Sequence, residues 1–199
     1  MAQAGVKFTT FEAYLSYSNA TPMEGRYELI DGALVQLPPE SELNNWIADN
    51  LQFLLAIVNV VPRRLIKTHT CEVQVPVLQP KDAANRYPDL VVLRPEHLEL
   101  TQRRLTVTLD MPPPRLIVEV ISPGKTNRDR DYIHKRAQYA AIGVPEYWLI
   151  APVAETVLVL TLDRKAYREV GLFSQDAAIV SIEFPDLELT VRQVFATGL

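Results

Sequence analysis

The stretch from Arg115 to Ile150 limits the possible folds more than any other part of the chain. Residues 115–121, RLIVEVI, are a short apolar run entered through the prolines of MPPPRL. Residues 127–142 then contain no glycine or proline, the segment stops at Gly143, and EYWLI begins a second apolar run. Such an order reads as strand, helix, strand, with Gly143 as the helix terminator. Because proline stiffens the backbone, MPPPRL sets the start of a strand rather than forming a flexible tether.

The remaining segments build around this unit. Thr9 or Thr10 can cap a short helix in FEAYLSYS, and RYELIDGALVQL reads as two short strands turning at Asp31-Gly32. In SELNNWIADNLQFLLAIVNV, residues Leu43, Ile47, Leu51, Leu54, Leu55 and Val58 recur at helical spacing, predicting a core helix that ends before Pro62. Residues 65–78 and 89–93 are further strand candidates, so the order up to residue 150 is helix, three strands, helix, strand. Beyond Pro152 the pattern predicts a hairpin turning at Asp163 to Lys165, a strand in AIVSIEF and a closing helix in TVRQVF capped by Thr190. No repeat or linker divides the chain, and 199 residues suit a single domain, 1–199.

Composition narrows the function. With 48% hydrophobic and 22% charged residues the chain reads as neither disordered nor membrane-spanning. A net charge of −4 argues against coating nucleic acid through a global field, but leaves room for a local basic groove or for an enzyme rich in carboxylates. The first residues lack the pattern of a secretory signal, so the expected location is cytoplasmic. Cys71 is the one cysteine; it excludes an internal disulfide framework and reads as a small buried hydrophobe.

Two carboxylates need an explanation. Glu119 sits between Val118 and Val120 in a run that a strand would bury, and Asp89 opens the apolar DLVVL directly after Pro88. A buried carboxylate costs several kcal/mol unless it is paired, hydrogen-bonded or metal-bound. Taken singly, each has a bland reading, Asp89 as a strand-start residue and Glu119 on a solvated sheet face. On neighbouring strand ends the two would converge on one cation, and oxygen ligands favour magnesium or manganese over zinc.

Lys125, Arg128, Arg130, Lys135 and Arg136 follow against Asp129 and Asp131, a local positive excess in an acidic chain. Lys135 is the expected partner, although a regular helical wheel groups Ile133, Ala137, Ala140 and Ala141 and sets Lys135 nearly opposite, the place of a solvated lysine. Arg128, Arg130 and Arg136 suit phosphate contacts or a solvated helix face. Trp46 and Trp148 read as core aromatics, while His69, His97 and His134 are scattered and form neither a nucleophilic triad nor a metal cluster with one another.

Pro88-Asp89, then Glu119-Val120-Ile121-Ser122-Pro123, Asp129, Lys135, Tyr139 and Gly143-Val-Pro-Glu-Tyr-Trp-Leu-Ile, with ELIDG at 28–32, resemble the Uma family of bacterial restriction endonucleases. That family is a branch of the PD-(D/E)XK nuclease superfamily. The resemblance runs from about residue 8 to the C-terminus and is most specific from Ile117 to Ile150. It implies an α/β (α+β) fold with an αβββαβ core, a mixed sheet and added hairpins. It further implies a Mg2+-dependent endonuclease, Mn2+ serving as well, that hydrolyses phosphodiester bonds of DNA and works as a homodimer.

By the same resemblance Asp89 and Glu119 hold the metal, Lys135 is the catalytic lysine, displaced from the position now occupied by Ile121, and Glu28 is a further acid near the site. The sequence departs from the family at the start of the long helix, where relatives carry a histidine and this chain has Asn44 or Asn45. An inactive nuclease fold serving binding or assembly is the competing expectation.

Overall fold

The computed structural model describes residues 6–21, 23–122 and 130–196, with the side chain of Arg130 excepted. Its strands form three sheets among the described residues, of two, six and three strands. The central strand β8, Leu116–Val120, is buried at all five positions. It pairs in parallel with β9, Glu146–Ala151, setting Glu119 opposite Leu149. A parallel pair needs a crossover, and the helical segment before Gly143 supplies it.

Antiparallel strands extend this pair in both directions. On one side lie β6, Leu90–Val92, and β3, Ile66–Thr68; on the other lie β10, Thr156–Asp163, and β11, Ala166–Ser174. The sheet is therefore six-stranded and mixed, in the order β11-β10-β9-β8-β6-β3. This is the predicted architecture, including the hairpin after Pro152.

Helix α2, Glu42–Ile57, covers the sheet with Ile47, Leu51 and Leu55 fully buried, and Ser41 accepts from the Asn44 amide as its cap. One expected core position fails: Leu43 is 50% exposed, and Asn44 is buried in its place. The Asn44 side chain donates through Nδ2 to Val120 O and Ser122 Oγ at 3.3 and 3.1 Å, which compensates its burial.

The first hairpin forms as expected, with β1, Tyr27–Ile30, paired to β2, Ala33–Gln36. Asp31 and Gly32 take positive φ, and a Cβ on Gly32 would stand 2.8 Å from Phe8 O, so the close approach of the two segments requires glycine. Thr10 caps α1, Phe11–Ala20, which packs Phe11 and Tyr14 with Phe8 and Leu29 in a small second cluster.

Residues 65–78 do not form one strand. The chain breaks after β3 at His69, whose φ is +53°, and β4, Glu72–Gln74, joins a separate sheet in the order β5-β4-β7 with Asn85–Arg86 (β5) and Thr106–Val107 (β7). A short helix α3, His97–Leu100, lies between β6 and β7.

The predicted strand AIVSIEF is likewise absent: residues 178–184 contain a single bridge, Ala178 to Thr190, and otherwise irregular backbone. Here the amides of Ile182 and Glu183 donate to the Glu146 carboxylate at 2.7 and 3.0 Å, which diverts them from a ladder. The closing helix α5, Val191–Phe195, has Thr190 and Gln193 as a reciprocal capping box.

The crossover helix departs from regularity. Arg130–Lys135 winds as a π-helix and continues as α4, Arg136–Ala141. The predicted start of this helix, residues 127–129, lies outside the described residues.

Candidate active site

The antiparallel register places Leu90 opposite Val118. Carried one residue further it sets Asp89 opposite Glu119, so the two carboxylates share one face at the same end of adjacent strands. Both are buried, at 5% and 2% exposure. Asp89 is oriented by the strand itself: the Val120 amide donates to Oδ2 at 2.6 Å.

Lys135 reaches this pair. Its Nζ lies 2.6 Å from Glu119 Oε2 and 3.0 Å from Asp131 Oδ1. The apolar stripe is the outer one: the buried residues Asp131, Lys135, Gln138 and Tyr139 keep the regular i, i+4, i+7, i+8 spacing, so the helix turns its polar stripe to the sheet. Ile133, Ala137 and Ala141 face outward, while Ala140 is buried beside that polar stripe. Only Ala140 of the predicted apolar face is where the wheel put it.

Tyr139 donates to Glu119 Oε1 at 2.7 Å, so each Glu119 oxygen holds one donor. Burial pushes the Glu119 carboxyl up to about 7; Lys135 pulls it back, and Asp89 and Asp131 push it further up. Burial, with Glu119 next to it, holds the Tyr139 phenol well above its ordinary value, which keeps it a hydrogen-bond donor. Lys135 divides its charge between Glu119 and Asp131, and Asp89 adds another carboxylate. That negative excess among the described side chains, together with hard oxygen donors, fits a divalent cation at Asp89 and Glu119.

The other predicted site residues stand farther back. Glu28 is buried and accepts from Arg86 Nη1 at 2.9 Å; Arg86 Nε in turn donates to Gln138 Oε1 at 2.9 Å. The structure thus ties Glu28 to the helix that carries Tyr139 rather than directly to Asp89 or Glu119. Arg136 donates to Tyr167 O at 2.8 Å and anchors α4 to β11. Arg128 and the side chain of Arg130 lie outside the described residues. Trp148 is fully buried and donates to Glu146, whereas Trp46 is only partly buried and donates to Ala196 O. Cys71 is fully buried as expected.

The sequence marked Asn44 or Asn45 as standing where relatives carry a histidine, and in the structure the Asn44 side chain holds the end of β8; it did not point to His69. His69 Nδ1 stands 3.4 Å from Asp89 Oδ1, and one ligand atom each from Glu40, His69 and Asp89 lies within 4.8 Å of the others. These three residues come from the segment before α2, the break after β3 and the start of β6, so no spacing in the sequence could announce them.

The model of the Uma2 family, described as "Putative restriction endonuclease", matches residues 11–192. The chain belongs to this family. A solved structure described as "a putative nuclease belonging to DUF820", from Anabaena variabilis ATCC 29413, is similar to this Uma2 chain in fold. It aligns with a TM-score of 0.63 at 20% identity, over 94% of this chain and 98% of that one. No curated protein matches the sequence. Among the described residues, no helix is long and apolar enough to cross a membrane.

Proposed function

We propose that this Uma2 protein is an endonuclease that hydrolyses phosphodiester bonds of DNA with a divalent metal, Mg2+ or Mn2+, at Asp89 and Glu119. The observation that carries the reading is the convergence of Asp89, Glu119 and Lys135 at one end of β6 and β8, from positions 89, 119 and 135. The bound ion supplies Lewis-acid stabilisation of charge on the phosphate. Asp89 is held in orientation for that ion by the Val120 amide, and Glu119 by Tyr139 and Lys135. The Lys135 ammonium stabilises negative charge developing beside Glu119.

Glu28 acts behind this centre as a further acid, setting Arg86 and Gln138 against the helix that presents Lys135 and Tyr139. Arg128, Arg130 and Arg136 contact backbone phosphates, so DNA affinity falls steeply with salt. The protein is cytoplasmic and a homodimer, for which β11, the end strand of the six-stranded sheet among the described residues, with Leu172 61% exposed, offers a pairing surface.

The competing reading, a nuclease fold that binds without turnover, draws support from Glu119, whose two oxygens already hold Lys135 and Tyr139. Cleavage of mixed DNA substrates, with Mg2+ or Mn2+ against chelator, separates the two. The enzyme reading expects metal-dependent cleavage that Asp89→Ala and Glu119→Ala each abolish. Metal-independent binding to DNA without cleavage supports the other. Light scattering that finds only monomer removes the dimer.

A further inference from the structure

We propose that the groove between the outer face of the crossover helix and the β10–β11 turn docks an acidic amphipathic helix of a partner protein. The groove measures about 950 Å3. Along one wall run Ile133, Ala137 and Ala141, at i, i+4 and i+8 of the helix, and Leu78 and Ile142 extend this apolar surface. Ile133 is 54% exposed and Leu78 47%, and Ala137 and Ala141 are exposed as well. A contiguous apolar surface rimmed by polar groups marks an interaction site rather than a solvated face.

The orientation of the helix is what exposes this surface. A helix lying on a sheet ordinarily buries its apolar stripe and leaves the polar one to water. Here Asp131, Lys135, Gln138 and Tyr139 face the sheet, so the apolar stripe is the one left outside. The bonds of Lys135 and Tyr139 to Glu119 hold the helix in that orientation, and turning Ile133 inward would break both. A partner surface is then what takes the stripe out of water.

Charge decides the kind of partner. Arg136, Arg164 and Lys165 line the groove, and no carboxylate does among the described residues, in a chain whose net charge is −4. Asp163 pairs with Ala166, so Arg164 and Lys165 are the two central residues of the turn. Arg164 takes φ +57°, in a place that asparagine or glycine ordinarily fills. A cation therefore occupies a disfavoured backbone position at the rim of the groove.

An acidic helix with apolar anchors satisfies both halves of this surface, its anchors on the row from Ile133 to Ala141 and its carboxylates on Arg164 and Lys165. The small side chains of Ala137 and Ala141 allow a second helix to approach to about 8 Å between axes. Duplex DNA suits these cations but not the apolar floor, since nucleic-acid interfaces are polar. A second copy placed face to face would set Arg164 and Lys165 against their own like charges. The groove lies on the side of the helix away from Lys135 and Tyr139, so its occupancy is independent of the nuclease reading.

Fluorescence anisotropy of a labelled helical peptide of about 18 residues, with leucines at i, i+4 and i+7 flanked by glutamates, tests this on the full chain. The variants are Ile133→Glu and the double change of Arg164→Asn with Lys165→Gly, which supplies the pair that such a turn favours and so keeps the hairpin. Circular dichroism verifies that each is folded, and Arg136, which the DNA reading needs, is left unchanged. The expected result is saturable binding to wild type, at least tenfold weaker in each variant and at least tenfold weaker for a peptide with lysine in place of each glutamate. No saturable binding to wild type, or affinity unchanged in the folded variants, overturns the proposal. A DNA duplex that displaces the peptide and itself binds the double variant at least tenfold more weakly gives the groove to DNA, and self-association that Ile133→Glu abolishes gives it to a second copy; either overturns the proposal too. Peptide binding that persists while no DNA is cleaved upholds this site and counts against the nuclease, and cleavage without peptide binding does the reverse.

Discussion

Lys135 Nζ lies 2.6 Å from Glu119 Oε2 and 3.0 Å from Asp131 Oδ1, so one buried ammonium serves a strand carboxylate and a carboxylate one helical turn back. Removing it leaves Glu119 charged in an apolar strand or forces it to take up a proton. Lys135→Met is expected to cost about 3–5 kcal/mol in urea unfolding. Because the two side chains interact directly, Glu119→Gln combined with Lys135→Met should cost clearly less than the sum of the single changes. Additive costs would show that the contact contributes nothing to stability.

Glu146 is a buried carboxylate with a different solution. It accepts from Trp148 Nε1 and Ser181 Oγ at 2.7 Å and from the amides of Ile182 and Glu183, all from its own strand or from residues 181–183. Glu146→Ala leaves these donors buried without an acceptor. A loss of about 3 kcal/mol is expected in urea unfolding. Amide exchange at Ile182 and Glu183 should quicken well beyond the change seen at Val118.

Glu146 also shows why part of the fold was hidden. AIVSIEF has the composition of a strand, but two of its backbone donors, at Ile182 and Glu183, go to the side chain of Glu146, 36 and 37 residues away, which no local pattern reveals. The run 65–78 was misread for a related reason: alternation continues through His69 while the backbone turns into another sheet. By contrast, the strand, helix, strand unit and both hairpins were legible, because Gly143, Asp31-Gly32 and the prolines before Arg115 mark their ends in the chain itself. Asp89 and Glu119 stood out because burial of a charge demands compensation. The partner lysine was named through the family resemblance, since the periodicity of its helix pointed the other way.

That periodicity gives a direct test of which face of the helix is buried. If the apolar stripe faced the core, Ile133 would be a core residue and a charged replacement would be severely destabilising. In the structure Ile133 is 54% exposed. Ile133→Lys is therefore expected to shift stability by less than about 0.5 kcal/mol in urea unfolding. A loss of several kcal/mol would put the apolar stripe against the core instead.

Cys71 is fully buried, and burial pushes its thiol up to about 12 from an ordinary value of 9.0. At pH 8 the native protein should resist thiol reagents that label the unfolded chain readily, since the thiolate is the reactive form. The raised value also has a stability consequence. The unfolded thiol ionises first, so this group's contribution is present below pH 9 and is lost as pH rises toward 12. Cys71→Ala should remove that part of the alkaline loss, measured as unfolding midpoints from pH 8 to 10.

His97 titrates in the opposite sense. It is fully buried, Nδ1 accepts from the Arg94 amide at 3.0 Å, and Nε2 lies 2.7 Å from Pro112 O. With Nδ1 accepting, the proton sits on Nε2 and the ring is neutral. Burial depresses its pKa below the ordinary 6.5, with Arg94 acting in the same direction while the Pro112 carbonyl and Glu96 oppose. The unfolded chain therefore takes up a proton at a pH where the native ring does not. The resulting stability is present above pH 6.5 and is lost as pH falls through the native value, by at most about 1.4 kcal/mol per pH unit. Urea midpoints at pH 7.5 and 5 should drop more for wild type than for His97→Gln, which keeps an acceptor and a donor but has nothing to protonate. Equal drops would place the acid sensitivity of the protein elsewhere.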